Sequence, residues 1–67
     1  MPQNPQLDPK DCQIIRTLQR DGRMSNQDLA AAVNLSPSPC LRRVKLLEQS
    51  GAIKGYSVDV DAEIYGL

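Results

Sequence analysis

The residues best suited to chemistry in this sequence crowd into one short stretch: Ser36, Ser38, Pro39, Arg42, Arg43 and Lys45. A guanidinium presents a planar fork of donors that matches the two acceptors of a guanine edge. A serine hydroxyl is short enough to approach a base or a phosphate, and an ammonium suits a phosphate. At about 100° per residue, Ser38, Arg42, Lys45 and Gln49 fall on one stripe of a helix, with Cys40, Val44 and Leu47 on the opposite side. Polar groups are thus gathered on one face and apolar groups on the other. Charged helix faces are most often merely solvated, so this stripe acquires meaning only from the elements that carry it.

Charge supports the same stretch. Eight basic and eight acidic residues cancel over the whole chain. Residues 1–35 balance, but residues 36–55 hold Arg42, Arg43, Lys45 and Lys54 against Glu48 alone, a net +3. The compensating −3 lies in Asp59, Asp61 and Glu63. A cationic segment on one element is the electrostatic footprint of a nucleic-acid partner.

Enzymatic chemistry finds no residues. The sequence has no histidine, hence no imidazole base, and no serine or cysteine has an evident activating neighbour. Asp8, Asp11 and Asp28 are accounted for by helix starts. Cys12 and Cys40, 28 positions apart and without histidine, do not have the spacing of a zinc site. No glycine-rich phosphate loop is present, and neither metal nor cofactor is expected. Stacking on single-stranded nucleic acid needs exposed aromatics, and the chain has only Tyr56 and Tyr65, both near its end.

Three helix starts position the stripe. Asp8 suits an N-cap, Pro9 the first helical position and Asp11 the third, with Leu7 and Cys12 spaced as a hydrophobic staple. Ile14, Ile15 and Leu18 follow on one side, and Asp21-Gly22 ends the element. Ser25 repeats the pattern, with Asp28 three residues on and Leu29, Ala30 and Val33 as its apolar stripe. This helix closes near Asn34, which tolerates the left-handed backbone of a sharp turn. The third start is Leu35-Ser36-Pro37-Ser38-Pro39. Either serine can be its cap, and the prolines fit only a first turn, where N–H groups have no intrahelical partner. Ser50-Gly51 stops it. A short helix, a turn at Asn34-Leu35-Ser36 and a longer helix make a helix-turn-helix, with Ala30 at the close crossing.

Beyond Gly51, Tyr56, Val58 and Val60 alternate with Ser57, Asp59 and Asp61, which predicts a strand over 53–61. Its partner is expected to be the same strand of a second copy, or a further domain. At 67 residues the chain is one domain at most, with a thin stability margin. No apolar run approaches the ~20 residues of a membrane span, and residues 1–6 lack the features of a signal peptide. A cytoplasmic protein with reduced, buried cysteines is expected.

The run Leu7-Asp8-x-x-Asp11-x-x-Ile14-Ile15-x-x-Leu18-Gln19-x-Asp21-Gly22-Arg23 resembles the opening of the leucine-responsive regulatory protein/AsnC family. The run Leu35-Ser36-Pro37-Ser38-Pro39-Cys40-Leu41-Arg42-Arg43-Val44, with Leu47-Glu48-x-x-Gly51-x-Ile53-x-Gly55-Tyr56, is closer still. The resemblance covers nearly the whole chain from residue 7. It implies a bacterial or archaeal DNA-binding regulator, with dimers or higher assemblies hinged on the strand after the third helix. It also implies a further α/β domain, following this region in such proteins, that binds amino-acid effectors.

The expected fold is therefore mainly α: a three-helix, winged-helix-like helix-turn-helix domain followed by one C-terminal strand. Residues 1–6 form a tail, 7–52 the domain, and 53–67 a strand or hinge toward an effector domain outside this chain. Double-stranded DNA is the expected partner, contacted by Ser36, Ser38, Pro39, Arg42, Arg43 and Lys45, with pairing to an acid as the equal alternative for Arg43, which borders the core stripe. A homodimer or higher homo-oligomer through 53–61 is expected, working as a dimer on a two-fold site, with no membrane partner. The alternative is a winged-helix module used only for protein contacts.

Overall fold

The computed structural model describes residues 7–58 and 60–66, leaving aside the Tyr65 side chain. Its elements are α1 (Pro9–Arg20), α2 (Asn26–Ala32), α3 (Pro37–Ser50) and α4 (Ala62–Tyr65). The first two begin where side chains can replace missing backbone partners. The Asp8 carboxylate accepts from the Asp11 N–H at 2.9 Å, and the Ser25 hydroxyl from the Asp28 N–H at 3.0 Å. In both cases the donor is the third helical residue, one of the otherwise orphaned N–H groups of a helix start.

Apolar residues at helical spacing from all three long helices meet in one core: Ile14, Leu29, Ala30, Val33, Cys40 and Leu47. Leu7, Ile15, Leu18, Met24, Leu35, Val44, Ala52 and Ile53 pack partly buried around it. α2 lies chiefly against α3. Ala30, 1 % exposed, sits in this packing, where a bulkier side chain would push the helices apart.

The turn between α2 and α3 is built from local chemistry. Asn34 takes φ = 59°, a left-handed conformation that asparagine tolerates. The chain then doubles back so that the Leu35 N–H donates to the Ala30 carbonyl at 2.9 Å. From α1, the Lys10 ammonium donates to the Val33 carbonyl at 2.6 Å, satisfying an acceptor at the end of α2. At the far end of α3, Gly51 adopts φ = 85°, which a side chain would resist. This turn brings the Ile53 N–H back to the Leu47 carbonyl at 3.0 Å.

The strand expected over 53–61 is absent among the described residues; Asp59 lies outside them. Tyr56, Val58 and Val60 are 52 %, 71 % and 50 % exposed. Alternation favours extended backbone, but a ladder requires a second row of donors and acceptors, and the described chain supplies none. Two residues expected in that strand do other work. The Tyr56 hydroxyl donates to the Glu48 carboxylate of α3 at 3.0 Å. Asp61 instead caps α4, accepting from the Glu63 and Ile64 N–H groups. The tail expected at 1–6 falls outside the described residues.

Both cysteines are free thiols, Cys40 buried and Cys12 half-buried. Burial pushes the Cys40 thiol up from its ordinary value, so it serves the core as a small neutral hydrophobe. No described helix is long and apolar enough to cross a membrane.

Candidate nucleic-acid interface

Packing fixes which way α3 faces. Cys40 and Leu47 are buried and Val44 is half-buried, while Ser38, Arg42, Lys45 and Gln49 are exposed on the other side. The stripe predicted from helical spacing is therefore a continuous polar ridge pointing away from the core. Among the described residues neither Arg42 nor Lys45 makes a hydrogen bond or an ion pair, so both cations are available to a ligand. Leu41 and Leu46 flank the ridge, 42 % and 57 % exposed.

The ridge begins at Ser36, which is the N-cap of α3; Ser38 lies within the first turn. Sequence left the choice between these serines open, and the backbone resolves it. The Ser36 hydroxyl makes no capping hydrogen bond, unlike Asp8 and Ser25. The reason is Pro39. It occupies the third helical position, whose N–H the other two caps use, and proline has none. Ser36 thus starts the helix while its hydroxyl stays unbonded, exposed at the edge of the ridge. Pro39 itself is half-buried.

This geometry carries a stability prediction. Ser25→Ala should lower stability by about 1 kcal/mol through loss of the cap. Ser36→Ala, which removes no intramolecular bond, should change it by less than about 0.5 kcal/mol. Thermal melts of the two variants decide the matter, and equal losses would contradict the reading of Pro39.

Asn26, at the start of α2, was not singled out in the sequence. Its side-chain amide donates to the Pro37 carbonyl at 2.9 Å, tying the first turn of α3 to the first turn of α2. Its Oδ1 is buried without a partner among the described residues, a cost tolerated next to that tie. Only its place beside the Ser25 cap could have drawn notice, because the contact spans the turn.

Arg43 is placed differently from its neighbours. Its Nη1 donates to both carboxylate oxygens of Asp8, at 2.7 and 3.0 Å, and to Asp11 Oδ1 at 3.1 Å. Hydrogen bonding from Arg43 holds the Asp8 carboxyl below its ordinary range, and the same contacts raise the Arg43 guanidinium. The structure therefore brings Ser36, Ser38, Arg42 and Lys45 together on one exposed surface, with Pro39 beneath its edge. Arg43 is drawn sideways to the start of α1.

No group of three or more potential metal-binding residues comes together among the described residues. The open cleft between the end of α1 and residues 52–58 is lined by Arg20, Asp21, Arg23 and Lys54 among others, with no nucleophile beside a base.

Comparison with known proteins bears on this surface. A family model described as winged helix-turn-helix DNA-binding matches residues 7–54. The leucine-responsive regulatory protein of Haemophilus influenzae is 49 % identical over 61 residues, covering 91 % of this chain and 37 % of that protein. Its counterpart in Rhizobium meliloti is 48 % identical over 61 residues, covering 91 % and 39 %. Among solved structures, a transcriptional regulator of Neisseria meningitidis in complex with L-Met aligns with a TM-score of 0.85 and 43 % identity, over 90 % of this chain and 39 % of that one. LrpC of Bacillus subtilis aligns with a TM-score of 0.84 and 40 % identity, over 92 % and 44 %. The chain spans less than two-fifths of the length of these two curated relatives.

Proposed function

Since the chain belongs to the leucine-responsive regulatory protein/AsnC family of winged helix-turn-helix DNA-binding regulators, we propose that it binds double-stranded DNA sequence-specifically to regulate transcription. The observation that carries this reading is the exposed Arg42–Lys45 ridge of α3, opposite the core and unpaired among the described residues. In a helix-turn-helix the second helix enters the major groove, and its N-terminal residues meet base edges. Arg42 is the base reader, forked onto a guanine, with Ser38 beside it. Ser36 and Lys45 hold phosphates, and Pro39 shapes the first turn against the backbone.

One such module buries only ~600–1,000 Å² on DNA. The working unit is therefore a homodimer on a two-fold site, with recognition helices about 34 Å apart. Residues 53–67 act as the hinge, and the apolar Tyr56, Val58 and Val60 pair with a second copy. No residue of this chain is assigned to an amino-acid effector; in this reading that contact belongs to the effector domain of the family. The protein works in the cytoplasm, needs no cofactor and catalyses no reaction.

Fluorescence anisotropy of a labelled 20-base-pair duplex against salt is the direct test. If each protomer neutralises three phosphates, raising salt from 50 to 200 mM should weaken binding of the homodimer by roughly 2,000-fold through counterion release. Absence of binding at 50 mM, or binding indifferent to salt, would overturn the reading. It would favour a protein-contact module docking through Leu41 and Leu46.

A further inference from the structure

We propose that Arg43 is a positioning residue rather than a DNA contact: paired with Asp8 and Asp11, it fixes the rotation of α3 against the start of α1. The inference rests on the DNA-binding reading and deepens it. All three of its hydrogen bonds leave from Nη1, and they bridge 32 to 35 positions of sequence. The acceptor is a stiff point of the fold. Asp8 Oδ1 simultaneously accepts from the Asp11 N–H as the cap of α1, so one carboxylate is held by both helices. The Arg43, Asp8 and Asp11 side chains are 34 %, 50 % and 19 % exposed, which places the pair at the margin of the packing.

Arg43 follows Arg42 in α3, so whatever fixes the azimuth of one fixes the other. A side-chain tip sits roughly 6 Å from a helix axis. Rolling α3 by 20° would therefore carry the Arg42 fork about 2 Å sideways, beyond the tolerance of a bidentate hydrogen bond. Val44 and Leu47 oppose such a roll from the core side, and the Asp8–Arg43–Asp11 cluster opposes it from the rim.

Electrostatics give the test its sign. Replacing Asp8 and Asp11 with asparagine removes two negative charges near the DNA face, which by field alone should tighten binding. The positioning role requires the reverse. The probe is the duplex enriched from a random library by the wild-type chain, compared with a scrambled duplex. Anisotropy is measured well below the melting temperature, with helix content checked by circular dichroism.

Asp8→Asn/Asp11→Asn and Arg43→Gln should each reduce selectivity several-fold and leave the salt slope unchanged. The triple variant should be no worse than either. Where Arg43→Gln does not fold, Arg43→Met keeps the packing stem without any donor and should show the same loss of selectivity. Tighter binding by the asparagine variant, together with a salt slope about 0.9 per protomer shallower in Arg43→Gln, would make Arg43 a phosphate contact. Unchanged selectivity in every variant would reduce the cluster to a stability element. A wild-type chain that binds neither duplex would instead remove the DNA-binding reading beneath the inference.

Discussion

Ile14→Ala is expected to bring the domain close to unfolding at room temperature. Ile14 is 0 % exposed and belongs to the core where α1 meets α2 and α3. Truncating a buried isoleucine costs ~2–5 kcal/mol, as transfer free energy plus the cavity left behind. A 67-residue chain holds a total of only about 3–10 kcal/mol, so the loss removes much or all of it. At about 4–8 °C per kcal/mol for a domain this small, the melting temperature should fall by about 8 °C at the least. Leu46→Ala is the matched control. Leu46 is 57 % exposed, and its truncation should shift stability by less than about 0.5 kcal/mol. Chemical denaturation of both variants measures the difference. A similar small loss for each would mean that Ile14 does not close the core.

The second large effect concerns Arg42. Arg42→Ala should weaken binding to the selected duplex by ~1–3 kcal/mol, about 5- to 150-fold, and relax the preference at one base pair of each half-site. Melting should be untouched, because Arg42 makes no intramolecular ion pair among the described residues. Lys45→Ala should behave differently. It should weaken cognate and scrambled duplexes alike and lower the salt slope by about 0.9 per protomer, as loss of a phosphate contact does. Repeating the random-library selection with each variant separates the two roles. If Arg42→Ala returns the same consensus with the same affinity, the base-reading assignment is wrong.

Several parts of the fold were legible because their causes are local. Asp8 and Ser25 cap helices through donors three residues away, Asn34 and Gly51 take the left-handed conformations their types allow, and apolar spacing told the core face of α3 from its ridge. The same locality was not sufficient at the C-terminal end. Alternation at Tyr56, Val58 and Val60 specified which side chains would share a face. Whether a ladder forms depends on a partner strand that no local pattern contains.

The sequence by itself determined three helices, the turn between the second and third, and an outward cationic stripe, since each depends on contacts within a turn or two of chain. Tertiary structure alone decided that Arg43 turns to Asp8 and Asp11, that Asn26 ties α2 to Pro37, and that Tyr56 reaches back to Glu48. The physical reason is that a charged or amide side chain takes the best-placed opposite group that folding brings within hydrogen-bond reach. For Arg43 that group lies 32 to 35 residues away, a distance over which residue spacing carries no geometric information.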